Sequence, residues 1–201
     1  GFEPLYLGDL SLTITEGKLY PVLSIHVEDY LLGVVPYEMS EYFPLEALKA
    51  QAVCARTYVL SKADSTRDYD VVDTTNDQVF KGVNHAYTNA ARAVRETAGV
   101  VGTYKGKLAI CYYSASNGGQ TELVENVWSG RGDWGYYAMT DDPYDLEGSE
   151  EVINLVFERG LLREGGILIF EHSKGKDFSS HPHFASLRSY GSVQFSIFEM
   201  E

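Results

Sequence analysis

The most regular hydrophobic pattern of the chain lies between residues 45 and 61. Apolar side chains recur there at intervals of three and four residues, which is the spacing of one face of an α-helix. They are Leu45, Leu48, Ala52, Ala55 and Val59. A second seam of small and aromatic side chains runs beside the first, so the pattern predicts a helix that is buried nearly all round.

Two polar side chains, Gln51 and Arg56, interrupt this apolar helix. A buried polar group needs a hydrogen-bond partner. We therefore expect both side chains to form hydrogen bonds with the residues that line a functional site, or to support those residues.

A shorter helix is predicted from residue 27 to 35, because Pro36 cannot continue a helix without losing a backbone hydrogen bond. Glu38 then lies just beyond a break, among largely apolar neighbours. A carboxyl group in such surroundings tends to hold its proton to higher pH, as a general acid must. Glu38 is the candidate acid, although the local pattern alone favours an ordinary exposed carboxylate.

Other apolar runs predict strands around these helices. Residues 5–26 contain two alternating runs with Gly17 in the turn, and the apolar run 107–114 follows a second turn at Gly106. Small residues between 85 and 97 predict a third helix. The predicted fold class is α+β (mixed α/β), with buried helices packed on a largely antiparallel sheet that carries a substrate groove.

A polar, glycine-containing run follows the last of these strands. Gly118 and Gly119 allow a backbone to approach a ligand closely. The hydroxyls of Ser114, Ser116 and Thr121 provide donors and acceptors that suit sugar hydroxyls. An ordinary glycine-rich turn is the alternative. Farther on, Trp128 belongs to a glycine-broken aromatic segment that resembles a mobile flap over a sugar.

The C-terminal quarter predicts a separate set of elements. An amphipathic helix is expected at 150–163, followed by strand-like runs. His172, His181 and His183 could hold a metal, but solvated loop histidines are the simpler interpretation without supporting carboxylates or cysteines. The acidic run 141–145 lacks the glycine and distal glutamate of a calcium loop, so we interpret it as a turn.

The charge and composition of the chain limit the classes of molecule that it is expected to bind. The chain has 201 residues, with 16 basic and 29 acidic side chains, and a formal net charge of −13. That charge repels phosphate backbones, so nucleic acid is not an expected partner, whereas a polyhydroxylated glycan is compatible with it. No run of about 18 apolar residues exists, so no membrane span is expected in this chain. Without a signal peptide at its start, the chain is interpreted as a trimmed ectodomain.

The two cysteines, Cys54 and Cys111, permit at most one disulfide. Cys54 falls on the buried helix and Cys111 in a predicted strand, so buried free thiols are favoured over a disulfide.

Five segments together resemble the stage II sporulation protein D family, which also contains the amidase-enhancer (LytB) proteins. They occur in the order of the family and cover roughly residues 24–145. The segments are YLLGVVPYEM, PLEALKAQAVCARTYVL, DQVFKG, ARAVRETAGVV and YYSASNGGQTE. Ser40 stands where the family commonly has proline, and the tail beyond Gly148 is not matched.

The resemblance implies a lytic transglycosylase that cuts peptidoglycan glycan strands, with Glu38 as its acid. Some members are described with a zinc site of one His and two Cys. Because Cys54 and Cys111 lie far apart in sequence, we expect no metal and no other cofactor. The site residues implied by the resemblance and the patterns are Glu38 as catalytic residue and Gln51, Arg56, Gln78, Tyr113, Ser114, Ser116, Gly118, Gly119, Thr121 and Trp128 for substrate binding.

Three functions are therefore weighed. The first is the transglycosylase, the second a non-catalytic wall-binding module that enhances a partner cell-wall amidase, and the third a metallohydrolase that uses the C-terminal histidines. The first two imply an extracytoplasmic location, in the cell wall or the forespore-engulfment space. The expected organisation is a catalytic domain at 1–148 and a C-terminal extension at 149–201 packed on it.

Overall fold

The computed structural model describes residues 3–128, 132–146, 149–173, 176–190 and 193–200. The chain folds as two compact units, residues 1–113 and 114–201. The predicted boundary at residue 148 concerned the extent of a catalytic domain, and it stays a prediction.

The first unit combines short hairpins with helices in its described residues. Its elements are β1 (Asp9–Thr15), β2 (Lys18–Ser24), α1 (Val27–Leu32), α2 (Val35–Glu38), α3 (Leu45–Lys62), α4 (Thr88–Glu96), β3 (Thr103–Tyr104) and β4 (Lys107–Leu108).

The second unit places a longer antiparallel sheet after a mainly irregular segment. Its described elements are α5 (Val124–Val127), a 3₁₀ turn (Pro143–Leu146), α6 (Ser149–Glu158), β5 (Ile167–Ser173), β6 (Phe184–Tyr190) and β7 (Val193–Glu199). The strand order of this sheet is β5-β7-β6. Helices with antiparallel sheets confirm the α+β class, although the described strands form three small sheets instead of one.

Helix α3 is the centre of the first unit and is as buried as its pattern predicts. Leu48, Ala52 and Ala55 are 0% exposed and belong to one cluster with residues of α1 and α4. Burying a leucine side chain such as Leu48 contributes about 1.5–3 kcal/mol. The residues of the candidate site in the first unit pack against this buried helix.

The break before Glu38 falls earlier than predicted. Gly33 ends α1, and its N–H donates to Tyr30 O at 2.9 Å. Pro36 lies in the first turn of α2, where a missing N–H costs nothing. Glu38 is consequently the last residue of a short helix, with its own N–H bonded to Val34 O at 3.0 Å.

The third helix is shorter than the predicted range 85–97, since α4 starts at Thr88. Asn84 closes the turn before this helix, where its Oδ1 accepts the Ala86 N–H at 2.9 Å. The Glu41 carboxylate, distant in sequence, accepts hydrogen bonds from Asn89 N at 2.6 Å and from Ala90 N at 2.9 Å. Those N–H groups belong to the helix start, where a negative charge is favourable.

The predicted central strand 107–114 is wrong. β4 ends at Leu108, and the described residues 109–113 form no strand. The side chains of this run contact α3 and its neighbours instead: Tyr112 packs edge-on against Tyr58 of α3, with ring centroids 6.2 Å apart. The apolar composition of this run therefore reflects its packing against helix α3 and not its pairing in a sheet.

The predicted hairpin at the start of the chain is confirmed as β1 paired with β2. Its register places Leu12 opposite Pro21 and Ile14 opposite Leu19, so apolar side chains share one face. That face is open, since Ile14 is 73% exposed and Leu19 60% exposed.

The sheet of the second unit buries an aromatic cluster against α6. Phe157, Phe178 and Phe198 lie in this cluster, and His172, 1% exposed, has Nε2 2.8 Å from Ser196 Oγ. Among the described residues, no three His, Cys, Asp or Glu side chains gather where they could share a metal. The described helices also include none with the length and apolarity needed to cross a bilayer.

Candidate functional site

Glu38 is half-buried at the end of α2 and is held by one of its two oxygens. Oε1 accepts the backbone N–H of Val79 at 2.7 Å. Oε2 accepts no hydrogen bond from any residue that the structure describes. The carboxyl group is therefore oriented by the protein and keeps one oxygen available for a proton transfer.

The segment that anchors Glu38 is fixed through Gln78, which is 1% exposed. Its Oε1 accepts from the Tyr30 hydroxyl at 3.2 Å. Its Nε2 donates to the Tyr113 hydroxyl at 3.0 Å and to Ala55 O at 3.3 Å. Gln78 thus connects α1, α3 and Tyr113 through its side-chain hydrogen bonds. The next residue, Val79, donates the N–H that orients Glu38.

Phe80, in the same segment, packs closely against Tyr30 and Gly33. Its ring stacks on Tyr30, with centroids 5.2 Å apart and an interplanar angle of 18°. A Cβ at Gly33 would lie 2.4 Å from the Phe80 ring. Only a glycine at this position lets the ring lie where it does.

The buried tyrosines next to Glu38 are neutral hydrogen-bonding groups. Burial raises the pKa of both Tyr30 and Tyr113, and the nearby Glu38 carboxylate acts in the same direction on each. Both hydroxyls therefore stay protonated across the neutral pH range. They can donate hydrogen bonds but do not compete with Glu38 as a base.

Asp77, the other acid of this segment, is fully engaged. Its Oδ1 accepts from the Tyr58 hydroxyl at 2.9 Å, and its Oδ2 accepts from Val72 N at 3.0 Å. Lys62 Nζ lies 3.7 Å from Oδ1. These contacts commit both oxygens of Asp77 to structural interactions, which argues against a role as a second catalytic acid.

Arg56 is a buried residue that links the elements around the site through hydrogen bonds. It is 0% exposed, and it donates from Nε and Nη2 to the two Glu28 oxygens at 2.9 and 2.7 Å. It also donates to Val94 O at 3.3 Å and to Val100 O at 3.1 Å. This position suits the supporting role predicted from sequence better than contact with a sugar.

Gln51, unlike Arg56, has a buried donor without a hydrogen-bond partner among the described residues. It is 8% exposed, and its Nε2 has no hydrogen-bond partner among the described residues. An unpaired buried donor costs about 1–3 kcal/mol. A bound group that accepts this N–H would remove that cost.

In the second unit, the predicted Gly-Gly loop is organised around Asp145. Its Oδ2 accepts from Ser116 Oγ at 2.7 Å, from Asn117 N at 3.0 Å and from Gly118 N at 2.7 Å. A fourth donor, Gly119 N, lies at 3.3 Å. Gly118 and Gly119 adopt φ of 69° and 93°, which glycine tolerates without strain and which turns their N–H groups toward one point.

The acidity of Asp145 follows from these contacts. Burial works against ionisation, but the hydrogen bonds from Ser116 and from the three amides lower the pKa of the Asp145 carboxyl below its ordinary 3.8. A lowered pKa in the folded state means that the stabilisation is complete above 3.8 and is lost as the pH falls through the folded-state value.

We expect Asp145→Asn to destabilise the second unit by about 1 kcal/mol at neutral pH, a value reduced by the partial exposure of the group. The variant should also lose the part of the acid sensitivity that the wild type shows below pH 3.8. The chain has two tryptophans, Trp128 and Trp134, and both lie in this unit, so their fluorescence reports its unfolding selectively. Identical acid transitions in variant and wild type would contradict the assignment.

The remaining predicted residues of this unit occupy the same segment. Ser114 donates to Ser116 O at 2.8 Å, and Thr121 Oγ1 donates to Ala138 O at 2.7 Å. Trp128 follows α5 and is 49% exposed. The structure therefore assembles Glu38, Gln51, Gln78 and Tyr113 in the first unit and the Ser114–Thr121 loop with Trp128 in the second. The predicted groove that joins them stays a prediction.

Sequence reasoning missed the groups that complete these arrangements. Val79 contributes only its N–H, and Asp145 stood in a run interpreted as a turn. Tyr30 lies within the predicted helix 27–35, and no local pattern marks its hydroxyl as functional. A signal was available for Asp145 alone, because successive glycine amides form a concave site for an anion and an acidic run follows in the chain.

Comparison with known proteins gives consistent matches. The family described as "Stage II sporulation protein" matches residues 15–104, a range that includes Glu38, Gln51, Arg56 and Gln78. An uncharacterized protein of Brachyspira hyodysenteriae is 40% identical over 126 residues, which are 61% of this chain and 34% of that protein.

Two named relatives are also similar. The "Amidase enhancer" of Bacillus subtilis is 48% identical over 99 residues, covering 49% of this chain and 13% of the relative. The "Stage II sporulation protein D" of Bacillus amyloliquefaciens is 34% identical over 148 residues, covering 64% of this chain and 43% of the relative. The chain thus spans less than half the length of each of these relatives.

Proposed function

This chain belongs to the stage II sporulation protein D family, which includes the amidase enhancers, and we propose that it is a peptidoglycan lytic transglycosylase. It would cleave glycan strands outside the cytoplasm, during sporulation or cell-wall remodelling, and leave 1,6-anhydro-muramyl ends. Glu38 is the proposed catalytic residue.

The observation that carries this proposal is the way Glu38 is held. One oxygen is anchored by Val79 N–H at 2.7 Å, while the other accepts no hydrogen bond from the described residues. Ordinary glycosidases need two carboxylates across the scissile bond. Asp77, the nearby acid, is committed to Tyr58 and Val72. A single free acid suits a transglycosylase, in which the same group can act twice.

In the proposed reaction the protonated Glu38 first donates its proton to the glycosidic oxygen as the C1–O bond breaks. The resulting carboxylate then accepts the proton of the C6 hydroxyl of the muramyl residue while that oxygen attacks C1. Glu38 ends in its protonated state, the new C1–O6 bond closes the anhydro ring, and no water is consumed.

The neighbours of Glu38 have supporting roles in this scheme. Gln78 keeps the Val79 N–H in place, and Tyr113 supplies a neutral hydroxyl beside it. The unpaired Nε2 of Gln51 is a donor that a sugar hydroxyl or acetamide carbonyl could satisfy. We propose that Ser114, Ser116, Gly118, Gly119 and Thr121 bind glycan hydroxyls, with Trp128 stacking on a sugar ring.

The second candidate is a wall-binding module that enhances a partner amidase. The 48% identity to a relative named for that property favours it. An enhancer of this kind would need the glycan-binding surface but not the free oxygen of Glu38.

Mass spectrometry of purified peptidoglycan incubated with the chain separates the two candidates. Release of muropeptides with anhydro ends supports the transglycosylase. Reducing ends would indicate hydrolysis with water instead. An unchanged glycan, together with faster peptide-bond cleavage by an added cell-wall amidase, would overturn the proposal in favour of the enhancer.

A further inference from the structure

The two cysteines of this chain meet in the folded first unit. Cys54 lies on α3 and Cys111 in the segment after β4, yet the two thiols lie close enough for each to shift the pKa of the other. Both are free and only partly buried. The sequence separation that argued against a shared role is therefore removed by the fold.

Independent contacts fix the position of Cys111 against α3. A Cβ at Gly102 would lie 3.5 Å from the Cys111 sulfur and 3.8 Å from Thr57 Oγ1. The Gly102 N–H donates to Thr57 Oγ1 at 2.9 Å, and Thr57 stands one turn beyond Cys54 on the same helix face. The Cys111 thiol also donates to Ala109 O at 3.2 Å. The thiol pair is thus held by the packing of the surrounding backbone.

We propose that Cys54 and Cys111 form an oxidisable dithiol site, which exchange with a small disulfide closes into an intramolecular disulfide bond. Closure would tie the segment that carries Tyr113 to helix α3. The inference does not depend on glycan cleavage, because it follows from the contacts of the two thiols.

The roles of the two sulfurs differ. The hydrogen bond from Cys54 lowers the pKa of Cys111 to about 7, although burial opposes this, and the same bond together with burial raises the pKa of Cys54. The lowered pKa favours the thiolate, which is the nucleophilic form, at Cys111 over Cys54. Cys111 is the attacking sulfur, and Cys54 is the resolving one.

The exchange balances with glutathione disulfide as oxidant. The Cys111 thiolate attacks one glutathione sulfur, the glutathione S–S bond breaks, a mixed disulfide forms and one glutathione thiolate leaves. Cys54 then gives its proton to solvent and attacks the Cys111 sulfur, which expels the second glutathione thiolate. Two protein thiols are oxidised, and one glutathione disulfide is reduced to two thiols.

Mass spectrometry after incubation with glutathione disulfide, with alkylation of the remaining thiols, tests the site. We expect the wild type to lose the mass of two hydrogens and to accept no alkylating groups. Cys54→Ser and Cys111→Ser cannot close the bond, so any oxidation should leave them with one bound glutathione. Wild-type chains that carry stable mixed disulfides, form intermolecular dimers or keep two free thiols would overturn the proposal.

Thermal unfolding of the wild type gives a second readout that needs no variant. The disulfide would join two residues that lie 57 positions apart in the chain, Cys54 and Cys111. A loop of this size raises the unfolding midpoint by on the order of 10 °C in the entropic limit. We expect the oxidised wild type to melt several degrees above the same sample reduced with dithiothreitol. An unchanged or lowered midpoint would show that the thiols do not meet as described.

Discussion

Glu38→Gln should lower the rate of anhydro-muropeptide release by roughly 10²–10⁴-fold, the usual contribution of a positioned acid–base group. Glutamine keeps the shape of the side chain and an oxygen that can accept the Val79 N–H, so the segment after Asp77 should stay in place. The variant cannot supply a proton to the glycosidic oxygen. Quantitative mass spectrometry of the released products over time measures the loss.

A matched control is Glu46→Gln, which removes an acid from the exposed start of α3. The Glu46 side chain is 81% exposed and, among the described residues, pairs only with Lys49 at 2.8 Å, so activity should be unchanged. Binding of both variants to insoluble peptidoglycan should equal that of the wild type. Release by Glu38→Gln at the wild-type rate would disprove the mechanism, and loss of binding would assign Glu38 to the binding surface instead.

Arg56→Met should destabilise the first unit by about 3–5 kcal/mol, since removing one partner of a buried ion pair leaves the other uncompensated. Glu28, whose side chain is 23% exposed, would keep only the Gly99 N–H at 3.1 Å. The carbonyls of Val94 and Val100 would also lose the hydrogen bonds that Arg56 donates to them. Urea unfolding followed by far-ultraviolet circular dichroism measures the change in free energy.

Two further variants identify the cause. Arg92→Met breaks an exposed pair with Glu96 on α4 and should cost far less, because solvent screens such a pair. Adding Glu28→Leu to Arg56→Met removes the stranded charge and should recover part of the lost stability. If Arg56→Met is no worse than Arg92→Met, the buried pair does not hold the helices together.

The pH dependence of the same pair has a definite sign. Burial alone would raise the pKa of Glu28, but hydrogen bonds from Arg56 and Gly99 bring it below 4.5. Because the folded-state pKa is lowered, this stabilisation is present above pH 4.5 and fades below it. Arg56→Met should flatten that part of the stability profile.

Helix α3 could be read from the sequence because its information is local. The apolar residues repeat at helical spacing, and their burial follows from having two apolar seams. Gln51 and Arg56 were also recognised as buried polar residues. Their different outcomes could not be predicted, since the partner of Arg56 is Glu28, an acid 28 positions earlier in the chain.

The errors share a physical origin. The run 107–114 is apolar enough for a central strand, but composition does not distinguish packing against a sheet from packing against α3. The start of α4 depends on Glu41, which no local pattern connects to it. The meeting of Cys54 with Cys111 likewise depends on tertiary structure alone.

The contact between Gly33 and Phe80 also restricts how this sequence can diverge. A side chain at position 33 has no room while Phe80 stacks on Tyr30, since even a Cβ would lie 2.4 Å from the ring. Gly33 has an ordinary φ of −99°, so space and not backbone conformation restricts it. Among diverging homologues, a larger residue at position 33 becomes accessible only after position 80 has become smaller, so the order of the two changes is fixed.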